Sequence, residues 1–578
     1  MRFGFRAVLG GLLLFLAAAN VSADMTMARY DPTQSSSTSQ QLALPIALKW
    51  QYVANKFDNN PASPIVVNGT VYFACGDRVY AVDLETGSLK WRYPREQGLG
   101  GSVKGTPAYY KGAIYFGATD ENLYCLDAET GSFRWAYRVR GSIRCPPIIA
   151  ENMIYIGADD ESLYAIEAET GERRWVFTAR DDIAIGVAVG SGMVVAASMD
   201  GNVYGIAQST GKLRWIFRLP VPPTDSSPVI TESIVVIAVG NSMYGLSTRS
   251  GQQKWHVTLP AEVAATPAAQ GYDIYVPCKD KKIYAYLTNA RQPIFKWTQP
   301  ADLQATPMSS PVVAGDTVWV TGARGVVAAF AAQDGALRWR YPISPSTVTT
   351  PTALYCDAAS SPTVVDRALL VLTDDGVLHC FTADTVDQLP PKVYTVNPPS
   401  GSLMSPAPPI KISAVLYDIG SGVDFSTATI TLDGQPVESS VDLVTSTVSY
   451  TTPVGGAGKQ AVYLKPDGLH YIAVSAKDYA GNTVVKEWYI ITDSSLPPPR
   501  RVVATEESGK QTKEPKTKPT EQPKPSTPPA GAEGAPQPEG QPDVEMPPPP
   551  PPPPAPPAPG FGGSPGPGPA PSGAPRPF

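Results

Sequence analysis

Eight tryptophans, Trp50, Trp91, Trp135, Trp175, Trp215, Trp255, Trp297 and Trp339, recur at intervals of 40 to 44 residues. A fixed period of this length means one supersecondary unit per repeat, each too small to bury its apolar face without a neighbour. The units read "LYCLDAETGSFRW" at Trp135, "LYAIEAETGERRW" at Trp175, "VYGIAQSTGKLRW" at Trp215, "MYGLSTRSGQQKW" at Trp255 and "VVAAFAAQDGALRW" at Trp339. At Trp297, "IYAYLTNARQPIFKW" keeps the strand and the Trp but loses the Gly turn. One unit holds four alternating runs, "TPAYY" (106–110), "AIYFGA" (113–118), "LYCLD" (123–127) and "FRWAY" (133–137). Reversals such as "TDEN" and "ETGS" separate them and supply Gly, Asn and Asp. Four antiparallel strands in some 40 residues make one blade of a β-propeller.

The two ends of the array complete each other. After Trp339 come three strand signals, "SPTVV", "ALLVLTD" and "GVLHCFT", and then "ADTVDQLPP" with no Trp. The spare strand "IALKWQY" stands at the front with no unit before it. If residues 46–52 pair beside "GVLHCFT", eight full blades result, and closure removes the exposed strand edges of an open array.

These repeats resemble the eight-bladed quinoprotein-like propellers, whose docking pattern is Ala-x-Asp-x-x-x-Gly-x-x-x-Trp. Ala81, Asp83, Gly87 and Trp91 match it in full, and Gly131/Trp135, Gly171/Trp175, Gly211/Trp215, Gly251/Trp255 and Gly335/Trp339 match its second half. The resemblance implies an all-β fold in which each Trp packs against the next blade, so the eight Trp are expected to be structural. It also implies an alternative activity, because the family includes dehydrogenases that hold pyrroloquinoline quinone over a Ca²⁺ with acidic and amide ligands, an Asp base and often a disulfide between neighbouring cysteines. No two cysteines here are adjacent, and units of 40 to 44 residues leave little room for the loop insertions that carry such sites.

The first 23 residues have the parts of a secretory signal: Arg2 and Arg6, an apolar run from Ala7 to Ala19, and Val21-Ser22-Ala23 ahead of Asp24. Thirteen apolar residues are too few for a bilayer span of about 20, so export without a membrane anchor is expected. A net charge of −6, with 17% charged residues, argues against nucleic acid as partner. The six cysteines lie far apart without a CxxC; they are read as buried thiols, with Cys356 and Cys380 the pair best placed for a bridge if one forms.

Beyond the ring, "YDIGSGVD", "LDGQPV" and "AKDYAGNTV" resemble bacterial Ig-like domains, which implies a sandwich that positions or adheres. Asp418, Asp424 and Asp478 lie in these stretches, either as Ca²⁺ ligands or as ordinary turn residues. From Leu496 the chain becomes Pro-rich, with eight consecutive prolines at 547–554, and is expected to be disordered, either a spacer or a ligand for Pro-binding grooves. The domain reading is therefore 1–23 signal, 24–45 linker, 46–392 propeller, 393–496 Ig-like sandwich and 497–578 tail.

Catalytic signatures are lacking: no CxxCH or HExxH occurs, and only three histidines (His256, His379, His470) are present. "GIAQSTGK" has five residues between its glycines where a P-loop has four, and Leu213 stands where Ser or Thr would hold Mg²⁺. The connections between blades are left as binding surface. One of them, "PISPSTVTTPTALYCDAAS" (342–360), is about ten residues longer than the rest, and either carries function or caps the seam. Arg95, Arg140, Arg144 and Arg180 fall on successive connections and would form a basic rim, or solvated charge offset by Glu96, Asp181 and Asp182. The reading is an exported, non-enzymatic, monomeric ring that binds a protein or envelope partner and needs no cofactor. In this it looks most like the outer-membrane protein assembly scaffold of the quinoprotein-like family. The alternatives are the quinone- and Ca²⁺-dependent dehydrogenase and a carbohydrate- or cell-wall-binding surface protein.

Overall fold

The computed structural model describes residues 24–54, 62–343, 356–365, 367–453 and 464–497. The signal sequence, the Pro-rich tail and most of the long connection 342–360 lie outside the described residues. Among the described residues, eight sheets are built on the four-strand repeat, and two further sheets follow them. Blade 2 shows the pattern: Ala108–Tyr110, Ala113–Gly117, Asn122–Asp127 and Phe133–Arg138, each strand paired antiparallel with the next.

The turn before each outer strand explains the docking pattern. Asp83 accepts hydrogen bonds from the backbone N–H groups of Glu85 (3.1 Å) and Thr86 (3.0 Å) through Oδ1, which bends the chain. Gly87 then takes φ +70°, and a Cβ there would come within 2.6 Å of the Trp50 ring. Only glycine combines that conformation with that space. The indole of one blade lies on the turn of the next, and its Nε1 donates to a carbonyl there: Trp50 to Leu84 and Trp91 to Ala128 at 2.9 Å, Trp175 to Gln208 at 3.0 Å. Tyr72 and Tyr115 repeat the link two strands inward, their hydroxyls donating to Ala128 O and Ala168 O.

The seam forms as the sequence reading expected. Ala47–Val53 completes the sheet of Thr363–Val365, Ala368–Leu372 and Val377–Thr382, with Trp50 opposite Cys380 and Val53 opposite Val377. Blade 8 is joined to blade 1 by the Ser361 N–H donating to Ser63 Oγ (3.0 Å) and by Thr363 Oγ1 donating to Pro64 O (2.7 Å).

Residues 24–45 are not a linker. Their carbonyls accept from inner-strand N–H groups of blade after blade: Thr26 O from Tyr109, Pro32 O from Val189, Thr33 O from Ile230, Ser35 O from Ala269 and Ser36 O from Val313. Ser37–Thr38 adds a parallel strand to the inner edge of blade 7. The Tyr30 hydroxyl reaches blade 8, donating to Val364 O at 2.9 Å. Inner strands would otherwise face the channel with unpaired backbone groups; this segment satisfies them.

The six cysteines are buried thiols, as the sequence reading expects, and Cys356 and Cys380 form no bridge. Strand alternation is the reason. Cys380 points into the core shared by blades 8 and 1, whereas Cys356 lies in the core shared by blades 7 and 8, where Phe381, the neighbour of Cys380, also points.

The remaining two sheets, built from strands between Lys392 and Thr492, pack as a sandwich around Ile412, Leu416, Ile430, Val474, Trp488 and Ile490. The sandwich is fixed to the ring. Trp339 ends the seventh unit, yet its Nε1 donates to Ser421 O in the sandwich at 2.9 Å, because blade 8 has no Gly turn to receive it. Tyr341 Oη donates to Ile419 O at 2.7 Å, and Leu48 N, on the closing strand, to Gly420 O at 3.2 Å.

Candidate functional site

Three regions are candidates: the junction of ring and sandwich, the face formed by the blade connections, and the channel.

At the junction the structure brings Asp418 and Asp478 together, with Asp387 in place of the expected Asp424; carboxylate oxygens of these three lie within 4.8 Å of one another. Asp424 follows buried Val423 on a strand, so alternation turns it to the other side, where it accepts from Ser426 N and Oγ. Asp387 escaped the sequence reading because it sits in "ADTVDQLPP", a stretch with no pattern of its own. The carboxylates are held by the chain itself. Asp387 Oδ2 accepts from Ser421 N and Oγ, both at 2.8 Å, Asp418 Oδ2 from Gly422 N at 2.7 Å, and Asp478 from Asn482 N and Nδ2, both at 2.8 Å. Burial, reinforced by Asp387 and Asp478, pushes the Asp418 carboxyl up to about 6.

A raised carboxyl favours the protonated form in the folded state, so its contribution to stability is full below the ordinary Asp range and is lost as pH rises through about 6. Asp418→Asn, which keeps an acceptor for Gly422 N, is expected to raise unfolding free energy at pH 7.5 by about 2–3 kcal/mol, with the gain fading toward pH 4. Urea unfolding at the two pH values checks this. A loss at pH 7.5 that Ca²⁺ accounts for in the parent chain would instead mark a cation site.

Two clefts flank the junction, of about 550 Å³ and 430 Å³. The larger is lined by Arg340, Asp424, Phe425 and Tyr479, among others. Arg340 is 6% exposed, and its Nε has no hydrogen-bond partner.

The connection face carries the four arginines. All are exposed: Arg95 between blades 1 and 2, Arg140 and Arg144 between 2 and 3, and Arg180 between 3 and 4. Acids are set among them. Arg144 pairs with Asp159 at 2.8 Å, and the backbone N–H of Arg140 donates to Asp160 Oδ2 at 3.0 Å. A second repeat on this face went unnoticed in the sequence, Asp-x-x-x-Tyr, at Asp120/Tyr124, Asp160/Tyr164, Asp200/Tyr204 and Asp280/Tyr284. In each pair the Tyr hydroxyl donates to the Asp carboxylate. The rim is therefore an alternation of acid and base, not a uniform basic band. A second acidic group, Cys356, Asp374 and Asp375, lies at blade 8, where burial drives the Cys356 thiol up, far from its reactive thiolate form.

Among the described residues, a cavity of about 150 Å³ lies in the channel, bounded by residues 25–36 and by the residues that precede the inner strands. A quinone with its Ca²⁺ needs several oxygen ligands and a pocket of roughly 300 Å³ or more. No carboxylate lines this cavity, so its residues do not fit that cofactor.

The comparisons agree with this architecture. The family model described as "Outer membrane protein assembly factor BamB" matches residues 8–121, 76–219 and 199–409. The chain belongs to this family. No curated protein matches it significantly. BamB from Moraxella catarrhalis is similar at 16% identity over 58% of this chain and 99% of that one, with a TM-score of 0.47. The quinohemoprotein alcohol dehydrogenase of Comamonas testosteroni is 14% identical over 66% of this chain and 83% of its own, at 0.50. The quinohemoprotein alcohol dehydrogenase ADHIIG of Pseudomonas putida HK5 is 13% identical over the same shares, at 0.52. At such identities the likeness to the two dehydrogenases shows the fold alone. Among the described residues, no helix is long and apolar enough to cross a membrane.

Proposed function

We propose that this BamB-family chain is an exported, non-enzymatic scaffold that engages a protein partner in the cell envelope through its connection face, with the sandwich fixed beside the seam. The observation that carries this reading is the filled axis: residues 24–45 pair with the inner strands and leave about 150 Å³. What the ring offers outward is the mixed Arg and Asp face, and alternating charge suits specific recognition of a protein better than attraction to a polyanion.

A photo-crosslinking side chain placed at Arg140 or Arg180, in the full chain in its native envelope, tests the proposal. Discrete protein adducts from these two positions, and none from Glu129 on the turn at the other face, are expected. Adducts from Glu129 alone would overturn the choice of face. Stoichiometric binding of added quinone and Ca²⁺ with reduction of an acceptor dye would overturn the non-enzymatic reading in favour of the dehydrogenase.

A further inference from the structure

The cavity on the axis has an unusual lining. Arg29 is the only charged side chain that lines it. The guanidinium is threaded into the ring: Nε donates to Gln34 O (3.0 Å), Nη1 to Ser310 Oγ (2.9 Å) and Thr266 O (3.5 Å), and Nη2 to Pro267 O. None of these acceptors carries a charge. Asp31 is the acid whose charge acts on Arg29, but its own carboxylate is taken up by Thr33 Oγ1 and Ser35 Oγ. Burial accordingly draws the guanidinium down to about 9, the direction expected of a cation short of a counter-charge.

Around it stands a ring of hydroxyls whose hydrogens are unspent. Thr106 Oγ1 accepts from Ser63 N (3.1 Å), Ser63 Oγ from Ser361 N (3.0 Å), Thr266 Oγ1 from Ser227 N (2.9 Å) and Ser227 Oγ from Gly186 N (3.0 Å). Each oxygen is thus oriented by the N–H of an adjacent blade, and none of these hydroxyls donates to a protein acceptor. A hydroxyl that accepts in this way has its hydrogen left to give. Thr106, Ser63, Ser227, Thr266, Ser310 and Ser361 all line the cavity. One fixed cation and a circle of spare donors, with no carboxylate in the lining of the cavity, are the elements of an oxyanion site. The volume, about 150 Å³, is several times the roughly 30 Å³ share of one water and falls short of the roughly 300 Å³ of a pocket for larger molecules.

We infer that the axial cavity binds one small inorganic oxyanion of the phosphate or sulfate class, held by Arg29 and the hydroxyl ring, which locks the N-terminal segment into the channel. Because Arg29 comes from that segment and the hydroxyls from the blades, the anion joins the two.

Titration of the intact chain with inorganic phosphate and with sulfate, against chloride at constant ionic strength, tests this by calorimetry and by the shift in melting temperature. One saturable site per chain and a rise in melting temperature are expected. Arg29→Met is expected to weaken binding about tenfold or more, since charge-assisted bonds are lost. Where Arg29→Met does not fold, Ser361→Ala decides. It removes one donor without removing a protein hydrogen bond made by that side chain, and is expected to weaken binding about threefold to tenfold with the fold intact. Absence of saturable binding of either anion, or unchanged affinity in Ser361→Ala and in a folded Arg29→Met, would overturn the assignment and leave a water-filled channel.

Discussion

Replacing Trp339 with alanine is expected to cost about 3–5 kcal/mol of stability, the largest loss among the eight docking tryptophans. Its side chain is fully buried, stacks on Tyr341 at 5.8 Å, meets Phe381 edge-on at 5.8 Å, and lies 6.5 Å from Tyr479 of the sandwich. Truncation opens a cavity at the point where blade 7, blade 8 and the sandwich converge, and strips Ser421 O of its donor. The effect should therefore go beyond a loss of free energy. Urea unfolding is expected to be cooperative in the parent and to split into two transitions in the variant as the sandwich melts apart from the ring. Trp339→Phe keeps most of the packing and loses the hydrogen bond, at a cost of about 1–2 kcal/mol. Trp135 is a useful contrast, since it remains partly exposed and its truncation should cost less. A single transition in Trp339→Ala, displaced by under about 1 kcal/mol, would mean that this residue does not hold the two parts together.

Acid is expected to open the seam through His379. The imidazole is 2% exposed in the strand that receives Ala47–Val53; its Nδ1 lies 3.0 Å from Gln51 Nε2 on the closing strand, and its Nε2 lies 3.3 Å from Thr373 Oγ1. Burial lowers its pKa to about 3. The unfolded chain takes up the proton near pH 6.5 and the folded chain does not, so the contribution of this group is complete above that pH. It is lost as pH falls from about 6.5 toward 3. At pH 4.5 the loss amounts to about 3 kcal/mol, from two pH units at 1.36 kcal/mol each. His379→Gln, which cannot charge, is expected to show a flatter stability profile between pH 7.5 and 4.5 than the parent. Asp418 works in the opposite sense over an overlapping range, so the difference between parent and single variant isolates each group. Parallel profiles for parent and His379→Gln would contradict the assignment.

The ring was legible in the sequence because its determinants are local. An Asp that caps a turn, a Gly that leaves room for an indole and a Trp four residues on are read from a dozen contiguous positions, and Trp50 without a preceding unit announced the closure. Residues 24–45 looked like a linker for the opposite reason. They interact through backbone carbonyls spread over most of the blades, so no alternation of side chains records the pairing. The same limit hid Asp387, whose partners Asp418 and Asp478 come from a different domain. The cysteines are buried thiols, as read, and the possible Cys356–Cys380 bridge does not form because the two side chains face different cores. Of the site residues, the four arginines were found where the connections put them, but the Asp-x-x-x-Tyr pairs that interrupt their charge were missed. Arg29, in the supposed linker, offered no signal.

The ring is closed by one sheet that the two ends of the repeat array form together. Hydrogen exchange followed by mass spectrometry on peptides covering 47–53 and 377–382 tests this most directly. Amides of both segments are expected to be protected to the same degree and to open together, since Trp50, Gln51 and Tyr52 are in register with Cys380, His379 and Leu378. Rapid exchange in 47–53 while 377–382 stays protected would show an open ring, and would remove the basis for both the scaffold and the axial site.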